Sequence, residues 1–541
     1  MRLATAFVLA AAASVAACRG PASPKAPGVL LEYVPADTPY ALVVLDPAAM
    51  SASTSWAHVD RIVAALHDNL VARRPSLDEM GGDHRFLAEL FFELGGRFNT
   101  RSLARLGIDE HSQAVLYGWG LAPVLRIHLD GAAFQAAIDR AARRARYTLP
   151  VRKRGNRSYY AFALDKVTLL AVVGPGEVTL ALARDPEPLL PHVVGDERPA
   201  TSLAATGALG KLAARWQMRG DTAFLLDPGQ AAAHIRKRGP GVDALIRDDE
   251  RACAEAIAGA FGDLPRMTMF GDASKPDHSD AVFAFELGAD RGRRAAGAVT
   301  AIPRWPADRG AAKLLVGLGV RPMTLIDGLA GWIDEISPKL VACGSKSDDK
   351  ASAGLAPLRM SPLPQVTGAT VAVRELDLDK GKFGVAAVIA LPDPVAVWKL
   401  LGGFISLPPP KSGPPVAVEI PGVTAMLGPV HLALGDGLIG ASLGAGGDAD
   451  LAALLAAPPG PKAPFTMVGD GAFLAVTEAR ADAAETDLGG KTPEEANLRK
   501  AMRGQPSDFA HLGDFKIEAA IEGDVLVVRM RQEIHPDKLA R

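Results

Sequence analysis

The chain has 541 residues, of which 48% are hydrophobic, 22% charged and only 6% aromatic, and its formal net charge is −2. That composition excludes a disordered or collagen-like chain and leaves ample apolar material for more than one core. A balance so near neutral excludes a general electrostatic pull toward nucleic acid or an anionic surface, so any such interaction has to come from a local patch.

The first eighteen residues carry an address. Arg2 is a positive start, Leu3 to Val15 an apolar run, and Val15, Ala16, Ala17 and Cys18 close it with small side chains. The run is shorter than the about 20 apolar residues a bilayer requires, so it reads as an export signal. Its last four residues resemble the lipobox of bacterial lipoproteins. The resemblance implies removal of residues 1–17, lipidation of the Cys18 thiol and a mature chain held on a membrane by acyl chains. Because Arg19 and not Asp follows the cysteine, it also implies the outer membrane, periplasmic face, with the cell surface left open. An ordinary signal peptide with an incidental cysteine is the alternative. Residues 18–29 form a flexible linker rich in proline and glycine.

From Leu30 onward, short β-branched or Leu-rich runs alternate with Ala-rich stretches, which predicts an α+β fold. "YALVVLD", "QAVLYGWG" and "PVLRIHLD" read as strands, "AAFQAAIDRAARRA" as a helix, and "KVTLLAVV" and "EVTLALA" as a hairpin about Gly174, Pro175 and Gly176. Asp46, Asp185, Asp227 and Asp393 each stand before a proline at the start of a helical stretch. An N-cap aspartate accepts from an orphan amide, and proline next to it gives up a donor that had no partner, so these acids are caps. Thr492, Pro493 and Glu495 spell a capping box. The phrase Val34, Pro35, Ala36, Asp37, Thr38, Pro39, Tyr40 resembles the opening of large exported bacterial proteins; the resemblance carries no activity with it.

The order of elements recurs. "VPADTPYALVVL" matches "WPADRGAAKLLVGL", "VLRIHLDGAAFQAAI" matches "VAAVIALPDPVAVWKLL", and "KVTLLAVVGPGEVTLALA" matches "MLGPVHLALGDGLIGASLG". "DTAFLLDPGQ" then matches "PFTMVGDGAF", and "SDAVFAFEL" matches "GDVLVVRM". The expectation is an internal duplication, with two similar lobes of antiparallel or mixed sheet packed with helices at residues 30–303 and 304–541. The apolar stretch from Ala311 to Ile333 is long enough to span a bilayer, but Arg321 and Asp327 in its middle argue against that.

Several motifs bear on chemistry. Gly440, Ala441, Ser442, Leu443 and Gly444 spell the nucleophile elbow of α/β-hydrolases, and Asp450 or Asp482 with His511 or His535 would complete a triad in that order. The internal match sets Ser442 opposite Ala181 in a hairpin strand, which favours a strand over an elbow. Ser347 to Lys350 matches an S-x-x-K pattern in a polar stretch, a chance spelling. Glu375, Asp377 and Asp379 suggest a calcium loop, but Lys380 stands where glycine is needed and Ala386 where the bidentate Glu belongs. The eleven histidines are scattered singly, and neither a metal site nor any cofactor site is expected.

Arg140, Arg143, Arg144, Arg146, Arg152, Lys153, Arg154 and Arg157 place eight cations in eighteen residues with no acid among them. A solvated face explains them, and the functional alternative is binding to anionic lipid or envelope polymer. With Cys18 lipidated, Cys253 and Cys343 remain as an even pair. A bridge would close a 90-residue loop, stabilising by about 4 to 5 kcal/mol on the chain-entropy account; two separate buried thiols are the alternative. The sequence therefore points to a membrane-anchored periplasmic lipoprotein with a non-enzymatic binding or scaffold role, a protein partner and no nucleic acid. A serine hydrolase using Ser442, and a carrier of apolar ligands between the lobes, are the alternatives.

Overall fold

The computed structural model describes residues 30–47, 56–72, 82–344, 365–377, 382–405, 413–474 and 511–538, apart from 98, 110, 165, 220, 221, 276, 421 and 422. Cys18, the capping box at Thr492, the stretch from Ser347 to Lys350, Asp379, Lys380 and Asp482 lie outside the described residues. The α+β expectation holds: helices and antiparallel strands alternate along the whole described chain. Two compact units divide between Phe283 and Ala284, ahead of residue 304, and the late strand Leu512–Glu522 belongs to the second.

In the first unit the strands are β1 (Tyr40–Val44), β2 (Ala114–Trp119), β3 (Ala122–His128), β4 (Val151–Arg154), β5 (Arg157–Leu164), β6 (Val167–Val173), β7 (Glu177–Ala183), β8 (Thr222–Leu226) and β9 (Arg266–Asp272). They pair antiparallel in the order β9-β8-β1-β2-β3-β7-β6-β5-β4. The first strand is thus central, with Ala41 opposite Tyr117 on one side and Leu225 on the other. After β10 (His278–Glu286), which runs across the division, the second unit has β11 (Leu314–Leu318), β12 (Gly368–Asp377), β13 (Lys382–Ala390), β14 (Val416–Val418), β15 (Val430–Gly435), β16 (Leu438–Gly444), β17 (Phe465–Asp470), β18 (Leu512–Glu522) and β19 (Val525–Ile534). Its ladders run β18-β17-β11-β12-β13-β16-β15-β14, again antiparallel and again with the first strand inside.

Alternation along the strands decides what each face meets. Leu125 and Ile127 of β3 and Val178 and Leu180 of β7 face α1 (Gly82–Phe92) and α2 (Gly131–Ala145), which bury Phe86, Leu90, Ala137, Ile138 and Ala141 against them. The Asp130 carboxylate caps α2 by accepting from the amides of Ala132 and Ala133, and Arg146 ends it in the left-handed region at φ 50°. Asp227 accepts from the Gln230 amide to open α3 (Pro228–Lys237), and Asp393 from the Ala396 amide to open α4 (Pro394–Ile405). Asp185 accepts from the Glu187 amide at a short turn. The segment around Asp327 forms a 15-residue helix, Pro322–Ile336, and no helix among the described residues is long and apolar enough to cross a membrane.

The opposite face of the first unit's sheet holds a charge. Arg126, 3% exposed, donates to the Glu177 carboxylate, the Thr179 hydroxyl and the His192 carbonyl at 2.5 to 2.9 Å, and to the Tyr117 hydroxyl at 3.2 Å. Its guanidinium also lies 3.9 Å from the centre of the Tyr33 ring. Four of the five N–H groups of this guanidinium are met by these acceptors, so most of its desolvation is offset. Arg126→Ala strips the partners and should lower stability by about 3 kcal/mol or more, whereas Arg126→Met combined with Glu177→Leu should recover most of that. The measurement is the urea midpoint of the full chain; an Ala variant as stable as the parent would contradict it.

Candidate functional site

A cavity of about 540 Å³ in the first unit follows from the central position of β1. The phrase Val34 to Pro39 is carried at the end of that strand and is tied down on both flanks. The Thr38 hydroxyl, buried, accepts from the Gly118 amide at 3.1 Å and lies 2.8 Å from the Tyr40 carbonyl. The Asp227 amide donates to the Pro39 carbonyl, the Ala36 amide to Thr201, and the Leu203 amide to Val34. One wall is therefore Pro35, Ala36 and Asp37; Trp119 and Gly120 at the β2–β3 turn and Pro199 to Thr201 form the next.

The remaining wall is the end of α3 with the Gly239-Pro240-Gly241 turn. His234 Nε2 lies 2.8 Å from the Asp37 carbonyl oxygen, so that nitrogen carries the proton, and 3.7 Å from the Asp37 carboxylate. Lys237 and Arg238 follow it on the rim, exposed, and neither forms an ion pair or side-chain hydrogen bond among the described residues. Arg238 stands at φ 59°, ψ 165°, a region that essentially only glycine occupies at low cost. Gly241 lets the turn close on the hairpin, because a Cβ there would fall 1.5 Å from the Trp119 carbonyl oxygen. On the other side of the wall the Trp119 ring stacks on His192 with centroids 3.7 Å apart, and burial pushes the His192 imidazole's pKa down, keeping it neutral.

Sequence reasoning did not mark this site. Its one local signal is the run His234, Ile235, Arg236, Lys237, Arg238 before Gly-Pro-Gly, cations at the end of a helix where the last carbonyls favour them.

The basic stretch that the sequence did mark divides in two. Arg140 and Arg144 of α2 bind the carboxylates of α1: Arg140 Nη2 is 2.9 Å from Glu93, and Arg144 reaches Glu89 at 2.9 Å and Glu93 at 2.5 Å. Glu89 and Glu93 are buried, so these arginines compensate charge between two helices. Arg154 and Arg157 lie 3.4 and 3.9 Å from Asp196, and Arg157 also donates to the Val194 carbonyl. Arg143, Arg146, Arg152 and Lys153 are exposed and form no ion pair among the described residues. Arg152 and Lys153 lie on β4, the edge strand, beside Val151 at 53% exposed, where cations discourage a further strand from pairing.

Ser442 lies in mid-strand on β16, opposite Ala386 on one side and His431 on the other. It is 3% exposed, and its hydroxyl has no hydrogen-bond partner among the described residues. An elbow needs the serine on a sharp turn between strand and helix, and here the chain runs on in the ladder to Gly444. Asp450, the candidate acid, is held at 2.5 and 2.8 Å by Arg374. Ala181 occupies the matching register position in the first unit, opposite Val124. Glu375 and Asp377 lie on β12 opposite Gly384 and Lys382, in an antiparallel ladder whose register shifts between Val373 and Glu375. Cys253 sits in the helix Arg251–Phe261 and Cys343 closes the turn Pro338–Cys343; both are disulfide-bonded.

No protein-family model matches the chain, and no curated protein matches it. Among solved structures, crystal form I of TP0453 aligns over 49% of this chain and 80% of its own, with 11% identity and a TM-score of 0.22, a likeness too slight to bear on fold or role.

Two predictions follow the geometry. Burial alone would raise the Glu93 pKa, but hydrogen bonds and charge from Arg140 and Arg144 outweigh it and hold the carboxyl below its usual range. A depressed folded value gives stability that is complete above the unfolded carboxyl's pKa of about 4.3 and is lost as pH falls through the folded value. Glu93→Gln should therefore be less stable than the parent at pH 7, and the gap in urea midpoint should close under acid. For Ser442, removing a buried, unpaired hydroxyl relieves a desolvation cost of about 1 kcal/mol. Ser442→Ala should match or exceed the parent in thermal melting; a clear loss of stability would show a bond at that hydroxyl.

Proposed function

We propose that this chain is a lipid-anchored protein of the bacterial cell envelope that binds a ligand and does not transform it. The cavity beside Asp37, His234, Lys237 and Arg238 carries the binding part of this reading, because two cations on the rim of a concave site, without ion-pair partners among the described residues, favour capture of a ligand. The anchor rests on Val15, Ala16, Ala17 and Cys18, and outer-membrane sorting on Arg19. Disulfide-bonded Cys253 and Cys343 suit an oxidising compartment outside the cytoplasm. The exposed Arg143, Arg146, Arg152 and Lys153 suit a nearby anionic headgroup or polymer, at about 1 kcal/mol per cation close to such a surface. The mid-strand position of Ser442 leaves the hydrolase alternative without its turn.

We also propose that the two units arose by duplication. The ladder orders match over eight strands, from β9 with β18 to β5 with β14, and register supports the match: Val124 faces Ala181 as Ala386 faces Ser442. The repeated sequence blocks fall on matching strands, β3 with β13 and β8 with β17.

The anchor is tested by Cys18→Ser in the full chain. The variant should lose lipid from its N-terminal peptide by mass spectrometry and leave the membrane fraction. Unchanged membrane retention would overturn the anchor.

A further inference from the structure

We infer that the cavity of the first unit binds a small organic anion, an apolar body carrying a carboxylate or phosphate, with Lys237 and Arg238 holding the charge and Trp119 the body. This rests on the binding role proposed above and names the class of ligand. Three observations carry it.

The first is shape and lining. At about 540 Å³ the cavity is the size of a small-molecule site, and Trp119, Pro35, Pro199, Pro240 and Val242 give it an apolar interior. The second is charge. Lys237 and Arg238 stand at the mouth without ion-pair partners among the described residues, while the acid that lines the same cavity, Asp37, lies against His234. The protonated Nε2 of His234 is directed at the Asp37 carbonyl, so the imidazole fixes the wall and leaves the anion to the two cations. The third is backbone strain confined to a charged residue. Arg238 holds φ 59° and ψ 165°, between Lys237 and Gly239, where glycine would sit more easily. Such outliers persist where the surrounding structure enforces them, and they concentrate at ligand clamps.

Selectivity follows from the same residues. A guanidinium donates two parallel N–H bonds to two oxygens of one carboxylate or phosphate in its plane, and the neighbouring ammonium adds a point charge. A cationic ligand of equal size meets two like charges at the mouth.

The test uses the full-length chain in a neutral detergent and isothermal titration with phenyl phosphate, benzoate, benzyl alcohol, benzylamine and inorganic phosphate. Phenyl phosphate or benzoate should bind, inorganic phosphate more weakly, and benzylamine not at all. The double variant Lys237→Gln, Arg238→Gln should lose at least tenfold in affinity for the better aromatic anion, and Trp119→Ala should weaken the aromatic anions more than inorganic phosphate. Arg238→Gly separates fold from function: its melting temperature should rise while affinity falls. If the anions bind the double variant as well as the parent, or if benzylamine binds as tightly as benzoate, the ligand class is wrong. Binding of benzyl alcohol that Trp119→Ala removes, without preference for the anions, would overturn the anion and leave the binding role standing. Silence from all five probes would overturn both.

Discussion

The placement of β1 between β2 and β8 is the constraint on which the first unit depends. One of its ladders joins Tyr40 to Leu226, across most of the unit's sequence, and the chain between must close into β2 through β7 for that pairing to form. Closing so long a loop costs entropy that grows only slowly with length, and it is offset because β1 gains partners on both edges at once. The strand's leading phrase is held by the same registration. Thr38 meets Gly118 because β1 pairs with β2, and Asp37 meets His234 because α3 follows directly from β8. The cavity is thus a consequence of strand order, assembled at one end of a sheet from segments distant in sequence.

The second unit repeats the order and omits the polar centre. Where the first sheet has Arg126, Tyr117, Glu177 and Thr179, the matching ladder positions in the second are Val388, Ala372, Leu438 and Gly440, and Val388, Ala372 and Leu438 belong to an apolar core. A buried ion pair is weak support for stability, since well-packed apolar side chains do the same work at no desolvation cost. The second sheet shows that this topology holds with an apolar core at those positions. The charge in the first sheet has to be explained by something other than holding strands together.

The strands and caps were legible in the sequence because their signals are local. Short β-branched or Leu-rich runs mark β3, β6 and β7, and an aspartate before proline marks the start of α3 and α4 without reference to the rest of the chain. The internal match set Ser442 opposite Ala181, and this outweighed a five-residue elbow spelling because register reports on a whole strand and a motif on one turn. The basic stretch was legible as charge but not as pairing. Its counter-ions Glu89 and Glu93 lie some fifty residues earlier, on a helix that only folding brings alongside α2. The cavity was not legible at all, since Asp37, Trp119, Thr201, His234 and Arg238 converge from separate segments, and the φ of Arg238 has no signature in its residue type.

The buried arginine and the cavity are joined by one residue. Arg126 donates to the His192 carbonyl, and the His192 ring, kept neutral by burial, stacks against Trp119. Trp119 in turn is half-buried in the cavity wall, its carbonyl packed against Gly241. A stacked ring holds position only as well as the backbone beneath it, and a charge-assisted bond to that backbone is stronger than a neutral one. Loss of the Arg126 bond removes one of the two donors to the His192 carbonyl, the other being the Gly195 amide, whereas the cations at the mouth stand at the end of α3, away from that bond. The desolvated charge therefore makes physical sense as a positioning device for the apolar wall, and its absence from the second unit fits the absence there of a matching tryptophan, since the register positions of Gly118 and Trp119 on β2 are held by Val373 and Glu375 on β12.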